Sequence, residues 1–174
     1  MTGGVGRADP LAEVLIAQRA DVIGVQEADD LTVLRRLSWR INMDFIRAES
    51  DLGVVALFSR HRIADSTNLS FVRGIASPAL RVTLSIAQRP TTVDVIDLRC
   101  DRAATLADDS LPIARCVSVN VPGVPNPTKG HPPRFVCQIW PGVDVGVVDH
   151  WIETDRLALY ASNHLPVGAE LEIP

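Results

Sequence analysis

Residues 52–59, LGVVALFS, form a continuous apolar run with no charge and no proline. Such a run predicts a central strand covered on both faces, so the chain must fold in layers. Ahead of it, residues 11–20 place Leu11, Val14, Leu15 and Ala17 on one helical face. Asp9 and Pro10 supply the start signal there, with Asp capping and Pro in the first turn. Residues 21–26 (DVIGVQ) predict a buried strand that ends on Glu27 and the acidic pair Asp29 and Asp30. Val33, Leu34 and Leu37 share a face of a second helix over residues 31–39. Beyond the central run, residues 79–87 alternate at Leu80, Val82, Leu84 and Ile86, and residues 91–98 alternate at Val93 and Val95. A short helix is expected at 101–109 and a strand at 112–120. Final strands are expected at 145–152, 157–161 and 167–173. A helix-strand-helix opening followed mostly by strands predicts an α/β sandwich with sheets inside and helices outside.

Composition narrows the function classes. The 174 residues suit a single domain, placed at 9–174 with residues 1–8 flexible. With 47% hydrophobic and 22% charged residues, the chain is globular rather than disordered. Seventeen basic residues against 21 acidic ones give a net charge of -4, which argues against a broad basic face for extended nucleic acid. A local basic cleft survives that argument. Three Trp, one Tyr and four Phe are too few for a stacking platform along a single strand. Cys100, Cys116 and Cys137 show no metal-ligand spacing and read as reduced, partly buried thiols. No secretory signal and no apolar stretch of about 18 residues is visible, so a cytoplasmic protein without a membrane span is expected. Five of the 12 prolines fall between Pro122 and Pro133, which makes that segment a loop.

One theme repeats along the chain. A polar or acidic residue closes an apolar strand at Glu27, at Asp97 and Arg99, at Asn120 and at Asp149, and Ser162, Asn163 and His164 open the last strand. Strand ends gathered on one edge of a layered α/β fold are where binding sites form. Each residue also has a structural reading: Glu27 as an acidic helix cap, Asn120 as a turn former, His164 as a satisfied core histidine.

The order and wording of these segments resemble the endonuclease/exonuclease/phosphatase superfamily. The matching segments are ADVIGVQEAD, LGVVALFSRHRI, ALRVTL, VSVNVPG, VVDHWI and SNHLPVGAELEI. The family carries, in this order, a strand ending Gln-Glu, a strand ending Ser-Arg, a GDFN motif, an Ile-Asp-Tyr-type strand and a terminal SDHLPV motif. The resemblance spans residues 20–173. It implies a four-layer α/β/β/α sandwich, short of the family's first strand, and hydrolysis of phosphoesters with Mg²⁺ or Mn²⁺. By the same resemblance Glu27 is the metal-binding carboxylate, a hard oxygen ligand suited to such ions. His164 contacts the scissile phosphate and Asp149 orients it, a pairing that favours the charged imidazole. Asn120 corresponds to the Asn of GDFN and donates to the attacked phosphate.

The departures from the family pattern matter as much. Ser118 stands where GDFN has its Asp, so general-base help worth roughly 10²–10⁴-fold is at risk. Asn163 replaces the Asp of SDH, and Arg99 stands where the family's Asn-Thr-His segment has its histidine. Two readings follow. In one, the chain is a weakened phosphoester hydrolase, its substrate class open among sugar, lipid and nucleic-acid esters. In the other, the cleft is rebuilt without catalysis, as a phosphate-binding or protein-interaction domain. There Arg99 replaces metal charge at the phosphate and Asp97 supplies the lost carboxylate.

Overall fold

The computed structural model describes residues 7–72, 77–97, 141, 144–162 and 165–174. These fall in two compact units, residues 1–99 and 100–174. The expected helix at 101–109, the strand at 112–120 and the proline-rich loop all lie outside the described residues.

The first unit runs α1 (Ala8–Gln18), β1 (Val22–Val25), α2 (Leu31–Ile41), β2 (Asp44–Ser50), β3 (Gly53–Ser59), β4 (Arg62–Asn68), β5 (Ala79–Ile86) and β6 (Arg89–Ile96). Two three-stranded antiparallel sheets result, with strand orders β1-β3-β2 and β4-β5-β6. The apolar run is central, as its composition requires, because β3 pairs with β1 on one side and β2 on the other. Strand periodicity then sorts its side chains between two environments. Val55 and Leu57 join Ala48 of β2 and meet Leu80, Val82 and Leu84 of β5 and Val95 of β6 in one buried cluster between the sheets. Val54, Ala56 and Phe58 occupy the opposite face, also buried. There Phe58 lies 5.4 Å, centroid to centroid, from Phe45 of β2. Leu34, Leu37 and Ile41 of α2 and Leu11, Val14 and Leu15 of α1 are buried with them.

Three layers are therefore formed in this unit: two helices, one sheet, a second sheet. The outer face of the second sheet is polar. Arg81 lies opposite Asp94 and Thr83 opposite Thr92. Arg81 Nε and Nη2 donate to the two Asp94 carboxylate oxygens at 2.8 and 2.7 Å. Among the described residues of this unit no helix covers that face.

Several local expectations are corrected. Helix α1 starts at Ala8, and Asp9 does not cap it, since the N-cap is Arg7 with no side-chain cap bond. Asp9 sits inside the first turn and instead pairs with Arg36 and Arg40 of α2, while Glu13 pairs with Arg40. Strands β2 and β4 had no sequence signal. β4 is the polar edge of its sheet, with five of seven residues exposed, so no alternation survives to be read.

The second unit contains β7 (Gly146–Ile152), α3 (Arg156–Ala161) and β8 (Val167–Glu172), with β7 and β8 antiparallel. Residues 157–161, expected as a strand, belong to helix α3. A short apolar run is ambiguous between the two, and the deciding signal is Asp155, whose Oδ1 accepts from Ala158 N at 2.6 Å as an N-cap. Gly168 of β8 lies under the Trp151 indole, where a β-carbon would come within 2.3 Å of Trp151 Cε2.

Candidate functional site

In the first unit the candidate site forms where two strand ends meet. Strand β1 runs antiparallel to β3 and ends beside the start of β3, where Ala28 N donates to Val54 O at 2.9 Å. Strand β6 ends beside the start of β5, where Asp97 N donates to Pro78 O at 2.9 Å. The two ends belong to different sheets. They are joined by Gln26, whose Nε2 donates to the Ile96 carbonyl at 2.8 Å across 70 residues of sequence. Each partner immediately precedes a candidate carboxylate, so Glu27 and Asp97 stand at one edge of the sheet pair.

The backbone at Glu27 is unusual. Its φ of 51° is left-handed, a conformation that costs a residue with a β-carbon roughly 1–2 kcal/mol. Helix capping does not account for Glu27, because the cap of α2 is Asp30. Asp30 Oδ1 accepts from Thr32 N at 2.8 Å and Val33 N at 3.2 Å. The chain thus turns sharply between strand and helix, leaving Glu27 exposed and the following Ala28 buried.

Asp29 lies in the turn between β1 and α2, and Asp51 in the turn that opens β3.

These residues fit a hard divalent ion of modest affinity. Mg²⁺ is commonly held by one or two carboxylates, with water and substrate phosphate completing its shell. Glu27 and Asp97 provide that donor chemistry. Among the described residues no group of three or more His, Cys, Asp or Glu side chains is placed to hold a metal ion.

Asp149 lies in the second unit. It follows a bulge in β7, where the register with β8 shifts between Val147 and Asp149. Bulges of this kind re-aim side chains. Asp149 is exposed, its Cα stands opposite Glu170, and its Oδ1 accepts from the backbone N of the next residue, His150, at 2.8 Å. Arg99, Asn120 and His164, together with Ser118 and Asn163, lie outside the described residues. Of the six residues singled out from the sequence, Glu27 and Asp97 each follow one partner of the Gln26 to Ile96 bond.

Gln26 was missed as a functional candidate. It is the Gln of the matched Gln-Glu strand end, and the structure adds its bond to a carbonyl 70 residues away.

Comparison with known proteins adds little that is specific. No protein-family model matches the chain. No curated protein matches it. Among solved structures, a crystal structure of humanized D. rerio TDP2 carrying 14 mutations is similar at 16% identity and a TM-score of 0.48, over 59% of this chain. The matched part spans 44% of that protein, less than half its length.

Proposed function

We propose that the chain is a divalent-metal-dependent phosphoester hydrolase of the endonuclease/exonuclease/phosphatase type, with weakened turnover. Support comes from the ordered resemblance of its strand-end motifs and, above all, from one observation. The Gln26 to Ile96 bond draws Glu27 and Asp97 from separate sheets to one edge.

Glu27 and Asp97 would hold the Mg²⁺ or Mn²⁺. When bound, the cation supplies Lewis-acid polarisation of a phosphate oxygen. By the family resemblance, Arg99 would contact the phosphate through its forked guanidinium and Asn120 would donate to the same group. His164, with Asp149, would by the same resemblance supply positive charge where the phosphoryl group gains negative charge. Ser118 offers no base near neutral pH, so activation of the attacking water is the deficient step and turnover is slow.

A chromogenic phosphodiester with Mn²⁺ or Mg²⁺ tests this directly, with Glu27→Gln as control. Metal-dependent release of chromophore that the substitution abolishes is the expected result. Release that is absent, or indifferent to the substitution, refutes hydrolysis. Thermal stabilisation by nucleotides in EDTA, without turnover, would then favour the phosphate-binding alternative, in which Arg99 takes the place of the metal.

A further inference from the structure

We infer that Gln26 is a positioning residue for the cation site, setting the separation of Glu27 and Asp97 through its bond to Ile96. This rests on the metal-dependent reading above and adds to it the element that gives the site its geometry.

Glu27 and Asp97 close strands of different sheets, and no backbone ladder links β1 to β6. Face-to-face sheets are held by side-chain packing, which tolerates sliding more readily than a ladder does. Something must therefore fix the two strand ends in register if their carboxylates are to share an ion. Two contacts do so. Gly24 gives Val95 the room to approach, since a β-carbon there would lie 3.3 Å from Val95 Cγ2. Two residues beyond Gly24 and one beyond Val95, the half-buried Gln26 amide donates to Ile96 O at 2.8 Å. The first contact sets how near the sheets come; the second is directional and sets where the ends stop.

The placement of this bond matters as much as its existence. Glu27 follows Gln26 and Asp97 follows Ile96, so each acid is the chain neighbour of a bond partner. Displacement of either strand end is carried straight to a ligand. Each segment is also anchored within its own sheet: Asp97 N donates to Pro78 O, and Ala28 N, next to Glu27, donates to Val54 O. Loss of the Gln26 bond therefore leaves both anchors in place and removes the direct link between them. Groups that orient metal ligands in this way typically contribute about 10- to 100-fold to metal affinity or activity.

The test is a Mn²⁺ titration of the full chain by electron paramagnetic resonance, with thermal unfolding and phosphodiester turnover measured on the same samples. Gln26→Met keeps the volume and removes the donor. Gln26→His restores a ring N–H donor, and Gln26→Asn shortens the reach by one methylene while keeping the amide. The expected result is about 10- to 100-fold weaker Mn²⁺ binding in Gln26→Met and Gln26→Asn, with partial recovery in Gln26→His. Turnover in the weakened variants should return at saturating Mn²⁺, with the metal requirement raised and kcat little changed. A purely structural role for Gln26 would lower the unfolding temperature and leave the metal requirement of the folded fraction alone. Unchanged Mn²⁺ affinity in a folded Gln26→Met or Gln26→Asn variant overturns the inference while leaving the hydrolase reading intact. Should the unsubstituted chain bind no Mn²⁺ that Glu27→Gln releases, the hydrolase reading fails first and the positioning role falls with it.

Discussion

Gly24 on β1 faces Val95 on β6 so closely that a β-carbon added to the glycine would sit 3.3 Å from Val95 Cγ2 and 3.4 Å from Cγ1. A side chain at position 24 would press on Val95 where the two sheets meet. A valine at position 24 would have to push β6 away, and overpacking of this kind costs about 1–3 kcal/mol. Urea denaturation of Gly24→Val should show that loss, and Val95→Ala in the same chain should recover part of it. A double-mutant cycle with no coupling between the two positions would mean the sheets do not meet as described.

Two acids three residues apart, Glu27 and Asp30, should behave in opposite ways. Asp30 accepts two backbone N–H groups at the start of α2, so Asp30→Ala should cost about 1 kcal/mol of stability. It should leave Mn²⁺ binding within about twofold, since this carboxylate is engaged by the helix. Glu27→Gln should show the reverse, with a small change in the urea midpoint and loss of Mn²⁺ binding. If Asp30→Ala abolished metal binding instead, the ligand would have been assigned to the wrong carboxylate.

The ion pair on the outer face of the second sheet makes a pH prediction. Its hydrogen bonds to Asp94 push the Arg81 guanidinium above its ordinary pKa, against the opposing effect of partial desolvation. A folded-state pKa that is raised gives stability fully present below the unfolded value, lost only as pH climbs through the folded one. Arg81 therefore contributes a constant amount across the neutral range. Because Arg81 is 40% exposed, solvent screening limits that amount to about 0.2–1 kcal/mol. Arg81→Met should lose this much equally at pH of about 6 and about 9, and less in high salt. A loss that grew between those two pH values would show that some other group titrates with the pair.

Gly168 beneath Trp151 is the tightest glycine contact among the described residues. In Gly168→Ala the new methyl group would overlap the indole, so the Trp151 ring or strand β8 must move. The expected cost is about 1–3 kcal/mol, accompanied by a changed near-ultraviolet dichroism of the tryptophans. An unaltered spectrum and urea midpoint would contradict the packing of β7 on β8.

The burial of β3 and β5 was legible in the sequence, whereas β1, expected to be buried, is only partly covered, with Gly24 exposed. A run such as Leu57 and its apolar neighbours has no soluble alternative, and the period of two along Leu80, Val82 and Leu84 admits only a strand with one inner face. These elements and helix α2 form where the pattern puts them. It failed where burial is slight or periodicity brief. Ser66 and Thr67 of β4 lie on a polar edge strand, and residues 157–161 carry too few turns to distinguish helix from strand. Asp9 looked like a cap but found Arg36 and Arg40, because its partners on α2 are distant in sequence and adjacent only after α1 packs.

The same division holds for the candidate site. Glu27 and Asp97 were legible as strand-end carboxylates, since a polar residue closing an apolar strand is a local signal. That they share an edge was not legible, because it depends on two sheets packing face to face, a contact with no sequence period. Tertiary structure alone decided it, through a glycine small enough to admit Val95 and a glutamine long enough to reach Ile96.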